Sequence, residues 1–172
     1  MMNRIYTLLL LYLIVCTGCG YHFAPAGEHF DKSIRTVYVD TFSNLTGEAN
    51  IETYLRNGLI SEFRTGERFT LVYDRDAADV VLSGSITGVA VSHLSYAKND
   101  IAKEDRVAMT VSATLAKTGT DEVLWENKSL SGREAYRVAT DPAITDRNKK
   151  EALKKLCTDL AEWAYRDLMA GF

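Results

Sequence analysis

The sequence predicts an α+β fold, a two-layer sandwich of two α-helices packed on a mostly antiparallel sheet of about four strands. Two observations carry that expectation. Apolar residues recur at Ile51, Leu55, Leu59 and Phe63, and again at Leu153, Leu156, Cys157, Leu160, Ala161, Ala164 and Leu168, the spacing that lines one side of a helix. Between these two stretches lie three runs in which apolar and polar residues alternate, the period of a strand with one buried face. The chain has 172 residues, 47% of them hydrophobic, which suits one domain with a core of its own.

Taken in order, Ile34 to Asp40 alternates with Val37 and Val39 on one face and reads as a strand. Ser43 to Gly47 is turn-like. The first helix follows from Ala49, and Gly66 stands where a left-handed C-terminal cap is expected. Phe69 to Tyr73 is a short apolar run broken by Asp74, Arg75 and Asp76. Val80 to Leu94 predicts a long strand with Val80, Leu82, Gly84, Ile86, Gly88 and Ala90 on the inner face. Gly84 and Gly88 suggest a bend or the close approach of a helix. Arg106 to Lys117 alternates cleanly, with Val107, Met109, Val111, Ala113 and Leu115 inward, and Thr118 to Asp121 forms a hairpin turn. Val123 to Tyr136 supplies a further strand containing Trp125, with Gly132 as a bulge. Asp141-Pro142 closes the sheet region, and Asp146 to Met169 is helical.

Twenty Lys and Arg against 23 Asp and Glu leave a net charge of −3, which excludes a strongly basic nucleic-acid binder. Catalytic patterns are missing. The Ser of Gly84-Ser85-Ile86-Thr87-Gly88 sits one position early for a hydrolase elbow and lies inside a strand. His22, His29 and His93 are scattered without metal-ligand spacing, and Asp74, Asp76 and Asp79 lack the glycine and glutamate of a calcium loop. Cys157 falls on the apolar stripe and reads as a small buried hydrophobe. Neither an enzyme, a metal nor a cofactor is expected. What remains is two basic groups. Lys98, Lys103 and Arg106 stand between the two long strands, beside Tyr96 and among Asp100, Glu104 and Asp105; Arg147, Lys149, Lys150, Lys154 and Lys155 open the last helix. Either could bind phosphorylated or carboxylated ligands, and either could simply keep a surface wet.

Residues 1–18 read as an export signal rather than as part of the fold. Arg4 precedes an apolar run from Ile5 to Val15, about half of the roughly 20 residues that a membrane-spanning helix needs. The run ends in Val15-Cys16-Thr17-Gly18-Cys19, which resembles the lipobox of bacterial lipoproteins. The resemblance implies that Cys19 is acylated and becomes the first mature residue, and Gly20 after it implies an outer-membrane destination. An ordinary signal peptide with an incidental cysteine is the alternative. With Cys16 removed and Cys19 lipidated, Cys157 would be the lone thiol, so stability rests on packing rather than on a disulfide. Residues 19–33, mixing Gly, Pro, His and charged residues, read as a tether, and residues 34–172 as one domain.

Cys19-Gly20-Tyr21-His22-Phe23 resembles the start of the LPS-assembly lipoprotein family LptE (RlpB). Val37-Tyr38-Val39, Leu82-Ser83-Gly84, the strand Val107 to Leu115 and the Asp141-Pro142 step are similar to that family along nearly the whole mature chain. The resemblance implies two helices against a four-stranded sheet and no enzymatic activity. It also implies a lipid-anchored protein on the periplasmic side of the outer membrane, which plugs an LptD-like β-barrel and assists delivery of lipopolysaccharide to the outer leaflet. Lipopolysaccharide contacts are then expected from the loop between the long strands, at Lys98, Lys103 and Arg106, and from the start of the last helix, at Arg147 or Lys149. A structural lipoprotein of another envelope secretion or polysaccharide-export complex is the alternative function.

Overall fold

The computed structural model describes residue 27 and residues 30–96, 102–120 and 122–171. The signal segment, Cys19 and Lys98 lie outside the described residues. The elements run β1 (Thr36–Val39), β2 (Ser43–Asn44), α1 (Ile51–Thr65), β3 (Thr70–Leu71), β4 (Val80–Tyr96), β5 (Ala102–Lys117), β6 (Val123–Arg137) and α2 (Pro142–Ala170). Both helices pack on one face of the sheet, so the α+β sandwich stands. Among the described residues, however, the sheet has six strands rather than four and is mixed. Its order is β3-β1-β4-β5-β6, with β2 also on β4. β1 pairs in parallel with β3 and β4, while β4, β5 and β6 form an antiparallel meander. The parallel part arises because α1 carries the chain between β1 and β3, and a crossover helix returns the second strand in the direction of the first.

Several local expectations are corrected. The turn-like Ser43-Asn44 is a two-residue strand, parallel to Ser85-Ile86. Gly66 ends α1 in an extended conformation (φ −78°, ψ 143°), and its N–H donates to the Glu62 carbonyl. In β4 the ladder slips between Ile86 and Gly88, and Val89 and Val91 come to face Met109 and Val107. One extra residue reverses the alternation, so Val89 and Val91, not Gly88 and Ala90, take the inner face above the bulge. Gly132 is not a bulge: it pairs regularly with Met109, and the slips in β6 lie between Asn127 and Leu130 and between Val123 and Trp125. Of the bend or close helix approach expected at Gly84 and Gly88, the ladder slip falls at Gly88, whereas close helix approach occurs at Gly132, where an added Cβ would stand 2.7 Å from Leu156 Cδ1 and 3.1 Å from the Trp163 ring. α2 begins at Pro142, four residues earlier than predicted; Asp141 caps it by accepting from the Ala143 N–H at 2.9 Å, and Pro142 fits the first turn, where no donor is needed.

The core joins Val37, Val39, Leu82, Ile86, Val107, Met109, Val111 and Leu115 of the sheet to Ile51, Leu55, Leu59 and Phe63 of α1 and Leu156, Leu160 and Leu168 of α2. Truncating such a side chain to Ala costs about 2–5 kcal/mol. The helices run in the same direction but are offset. The Ile51 carbonyl accepts from Cys157 Sγ at 3.6 Å, Gly58 lies against Ala161, and Gly66 against Tyr165. The first four turns of α2 therefore extend past the start of α1 and cover the upper sheet alone. At the opposite end, here called the foot, Arg68 donates to the carbonyls of Gly27, Phe30, Asp31 and Ile34 and stacks 4.7 Å from the Phe69 ring centroid. The Gly27 N–H donates to the Met169 carbonyl at 2.9 Å, and Phe30 is buried edge-on against Phe69. Among the described residues no helix is long and apolar enough to cross a membrane.

Candidate functional site at the upper end of the sheet

β4 climbs to the hairpin that holds the first basic group, β6 climbs beside it, and α2 starts downward from the same end. Topology thus sets both basic groups at one end of the molecule. Asn148 of α2 donates to the Arg137 carbonyl at 2.9 Å, and Arg137 stands opposite Glu104. The two groups do not form one surface, however. Arg106 pairs across the sheet with Ser92 and Ala135 and is half-buried on the face opposite Val107, away from the helices. Arg147 is exposed on the helix layer. Lys103 lies in β5, its side chain outside the described residues.

Much of the second group is engaged with carboxylates. Lys149 is three-quarters buried and pairs with Glu48, tying α2 to the loop before α1. Lys150 pairs with Asp146 at 2.9 Å, and Lys155 with Glu134 at 2.6 Å and Asp159 at 3.1 Å. These hydrogen-bonded carboxylates raise the pKa values of Lys150 and Lys155. Arg147 and Lys154 are exposed, as are Lys150 and Lys155 despite their ion pairs. Beneath them Glu134, Tyr136, Arg137, Asn148, Glu151 and Lys155 line an open groove of about 450 Å³ between β6 and α2.

One arrangement was not foreseen. His93, Asp105 and Tyr136 occupy one row across β4, β5 and β6. The buried Asp105 carboxylate lies 2.6 Å from His93 Nδ1 and accepts from the Tyr136 hydroxyl at 3.4 Å. Burial first, and the Asp105 carboxylate second, raise the Tyr136 pKa. A buried carboxylate needs such partners. Asp105 thus braces the sheet end from inside. The pairing was within reach of sequence only if the β4–β5 register had been counted residue by residue. Cys157 is fully buried, as its place on the stripe predicts, and burial pushes its thiol up to about 12.

The sequence pattern of the LptE family, described as lipopolysaccharide-assembly, matches residues 34–168. The chain belongs to the LptE family. Among solved structures, uncharacterized lipoprotein B from Nitrosomonas europaea is 15% identical with a TM-score of 0.54, over 80% of this chain and 83% of that one. The hypothetical protein CT253 from Chlamydia trachomatis is 6% identical with a TM-score of 0.51, over 79% and 98%. Both likenesses speak for a shared fold. No curated protein matches the sequence.

Proposed function

We propose that this LptE-family chain is a non-enzymatic outer-membrane lipoprotein, acylated at Cys19 on the periplasmic side. In this reading it plugs an LptD-like β-barrel and assists the passage of lipopolysaccharide to the outer leaflet. The family match across residues 34–168 carries the proposal. The geometry supports it in two ways. Gly27 is held to the foot and Cys19 stands eight residues before it, so the anchor keeps the foot within about 28 Å of the bilayer. The basic residues proposed for lipopolysaccharide are Lys98, Lys103, Arg106, Arg147 and Lys149; of these, the described Lys103, Arg106, Arg147 and Lys149 belong to elements at the other end, where a glycolipid phosphate would meet cations rather than the anchor.

Affinity isolation of the acylated protein from detergent-solubilised envelopes tests the partner: a large β-barrel should accompany it. Recovery of a monomer from the inner membrane alone would overturn the reading. The ligand part is read from lipopolysaccharide binding at low salt, where screening is weakest. Lys98→Glu combined with Arg147→Glu should weaken binding without disturbing the fold.

A further inference from the structure

On the face of the sheet away from the helices, positive charge gathers around one small residue. In β6, Gly132 meets α2 and Tyr136 is buried against Asp105, so the alternate residues Arg133, Ala135 and Arg137 face the other way. Arg106 of β5 stands directly across from Ala135 on that outer face. Arg133 and Arg137 therefore flank Ala135 at about 7 Å along β6, and Arg106 flanks it at about 5 Å across the ladder. The methyl group of Ala135 leaves the ground between the three guanidinium groups open. Among the described residues these guanidinium groups hold no carboxylate or carbonyl. Arg56, Arg68, Arg75 and Arg166 each hold one. Glu104 lies across from Arg137 on the same face, yet the two form no ion pair. Guarding an open sheet edge accounts for charges on β6, the last strand. It does not account for Arg106, which is half-buried on β5 with a strand on either side.

We infer that Arg106, Arg133 and Arg137 form a phosphate-binding site centred on Ala135, and that its ligand is a phosphate group of the glycolipid. The inference rests on the lipopolysaccharide reading above. It joins Arg106 to two residues of β6 and separates it from Arg147 and Lys149, which lie on the helix layer. Each guanidinium presents paired N–H donors in a fixed fork that matches phosphate oxygens. Three forks around one open position suit the three terminal oxygens of a phosphate better than the two of a carboxylate. A phosphorylated ligand therefore fits the site better than an acidic protein wall does.

The test uses the full acylated chain in detergent, with lipopolysaccharide and chemically dephosphorylated lipopolysaccharide as probes. Arg133→Gln combined with Arg137→Gln should lower affinity for lipopolysaccharide about tenfold or more. Both positions are exposed, so the melting temperature should not change. Lys128→Gln, on the same strand, should bind as the unaltered chain does, and an equal loss there would overturn the inference. Arg133→Lys keeps the charge without the fork and should fall between. Dephosphorylated lipopolysaccharide should bind the unaltered and doubly altered chains alike. If the unaltered chain binds no lipopolysaccharide, the ligand part of the proposed function fails and takes this inference with it. If it binds and the double variant binds equally, the site assignment alone is wrong. Competition by phosphatidylglycerol vesicles as strong as that by lipopolysaccharide would name the bilayer as the source of phosphate. Loss of barrel recovery with lipopolysaccharide binding intact would name a protein wall. Either result overturns the inference.

Discussion

Phe42 lies so close over Gly84 that a Cβ on Gly84 would stand 2.5 Å from the ring, and only 2.1 Å from the Ser112 carbonyl oxygen. Gly84 faces Ala113 across β4 and β5, and these two small residues leave the space into which the chain tucks Phe42 after β1. Backbone cannot yield here as a flexible side chain can. Gly84→Ala should cost about 3 kcal/mol or more. Gly88 has nothing within 4 Å of an added Cβ and no left-handed φ, so Gly88→Ala should change stability by less than about 1 kcal/mol. Chemical denaturation of the two variants, only four residues apart, reads the contrast directly.

Lys149 and Arg147 should differ in how much charge reversal costs. Lys149→Glu sets a second carboxylate against Glu48 at a site with little solvent, and should cost about 1–3 kcal/mol. Arg147→Glu, on exposed helix surface, should stay within about 0.5 kcal/mol. Thermal melts separate the two, and any loss of lipopolysaccharide binding by Arg147→Glu then reports on the ligand rather than on folding.

Acid should act through Asp79. Its carboxylate accepts from the backbone N–H groups of Arg35 and Thr36, both at 2.8 Å, and these bonds hold its pKa below 3.8 despite some desolvation. A carboxyl with a depressed folded pKa stabilises the fold above its unfolded pKa and loses that contribution as pH falls through the folded value. Asp79→Asn should therefore be less stable than the unaltered chain at neutral pH. The gap should close as pH drops below 3.8. A gap constant from neutral pH down to pH ~2 would show that charge at Asp79 is not what binds β1 to the loop before β4.

Cys157 gives a reporter of unfolding. Its thiol, pushed up to about 12 by burial and then by Glu52, holds almost no thiolate near neutral pH and sits out of reach of solvent. Alkylation in the native state should proceed at the rate of opening and accelerate sharply with denaturant. The linked stability is fully present below the unfolded thiol pKa and is lost only as pH rises toward about 12, so neutral-pH titration should not alter the melt.

The helices and the inner face of β5 were legible because a repeated spacing announces itself over many residues. Leu55, Leu59 and Phe63 are buried where the four-residue step puts them, and Val107 to Leu115 where alternation does. The sheet was legible in part. A two-residue polar strand such as Ser43-Asn44 carries no pattern, and the bulge beside Thr87 inserts one residue whose only trace is that Val89 and Val91 exchange faces with Gly88 and Ala90. The site was less legible still. Lys149 looks like any surface lysine until Glu48, 101 residues away, is brought beside it. His93, Asp105 and Tyr136 are separated by 12 and 31 residues and meet only because three strands share a register.

The staggered helices divide the molecule unequally. Near the foot two helices, the Arg68 clasp and the β1–β3 strands lie over or beside the sheet, so amides there exchange only when much of the structure opens. Toward the hairpin a single helix does that work. Stiffness thus falls from the foot toward the hairpin: the half built from two helices keeps its shape, while the half covered by one helix bends at smaller energetic cost.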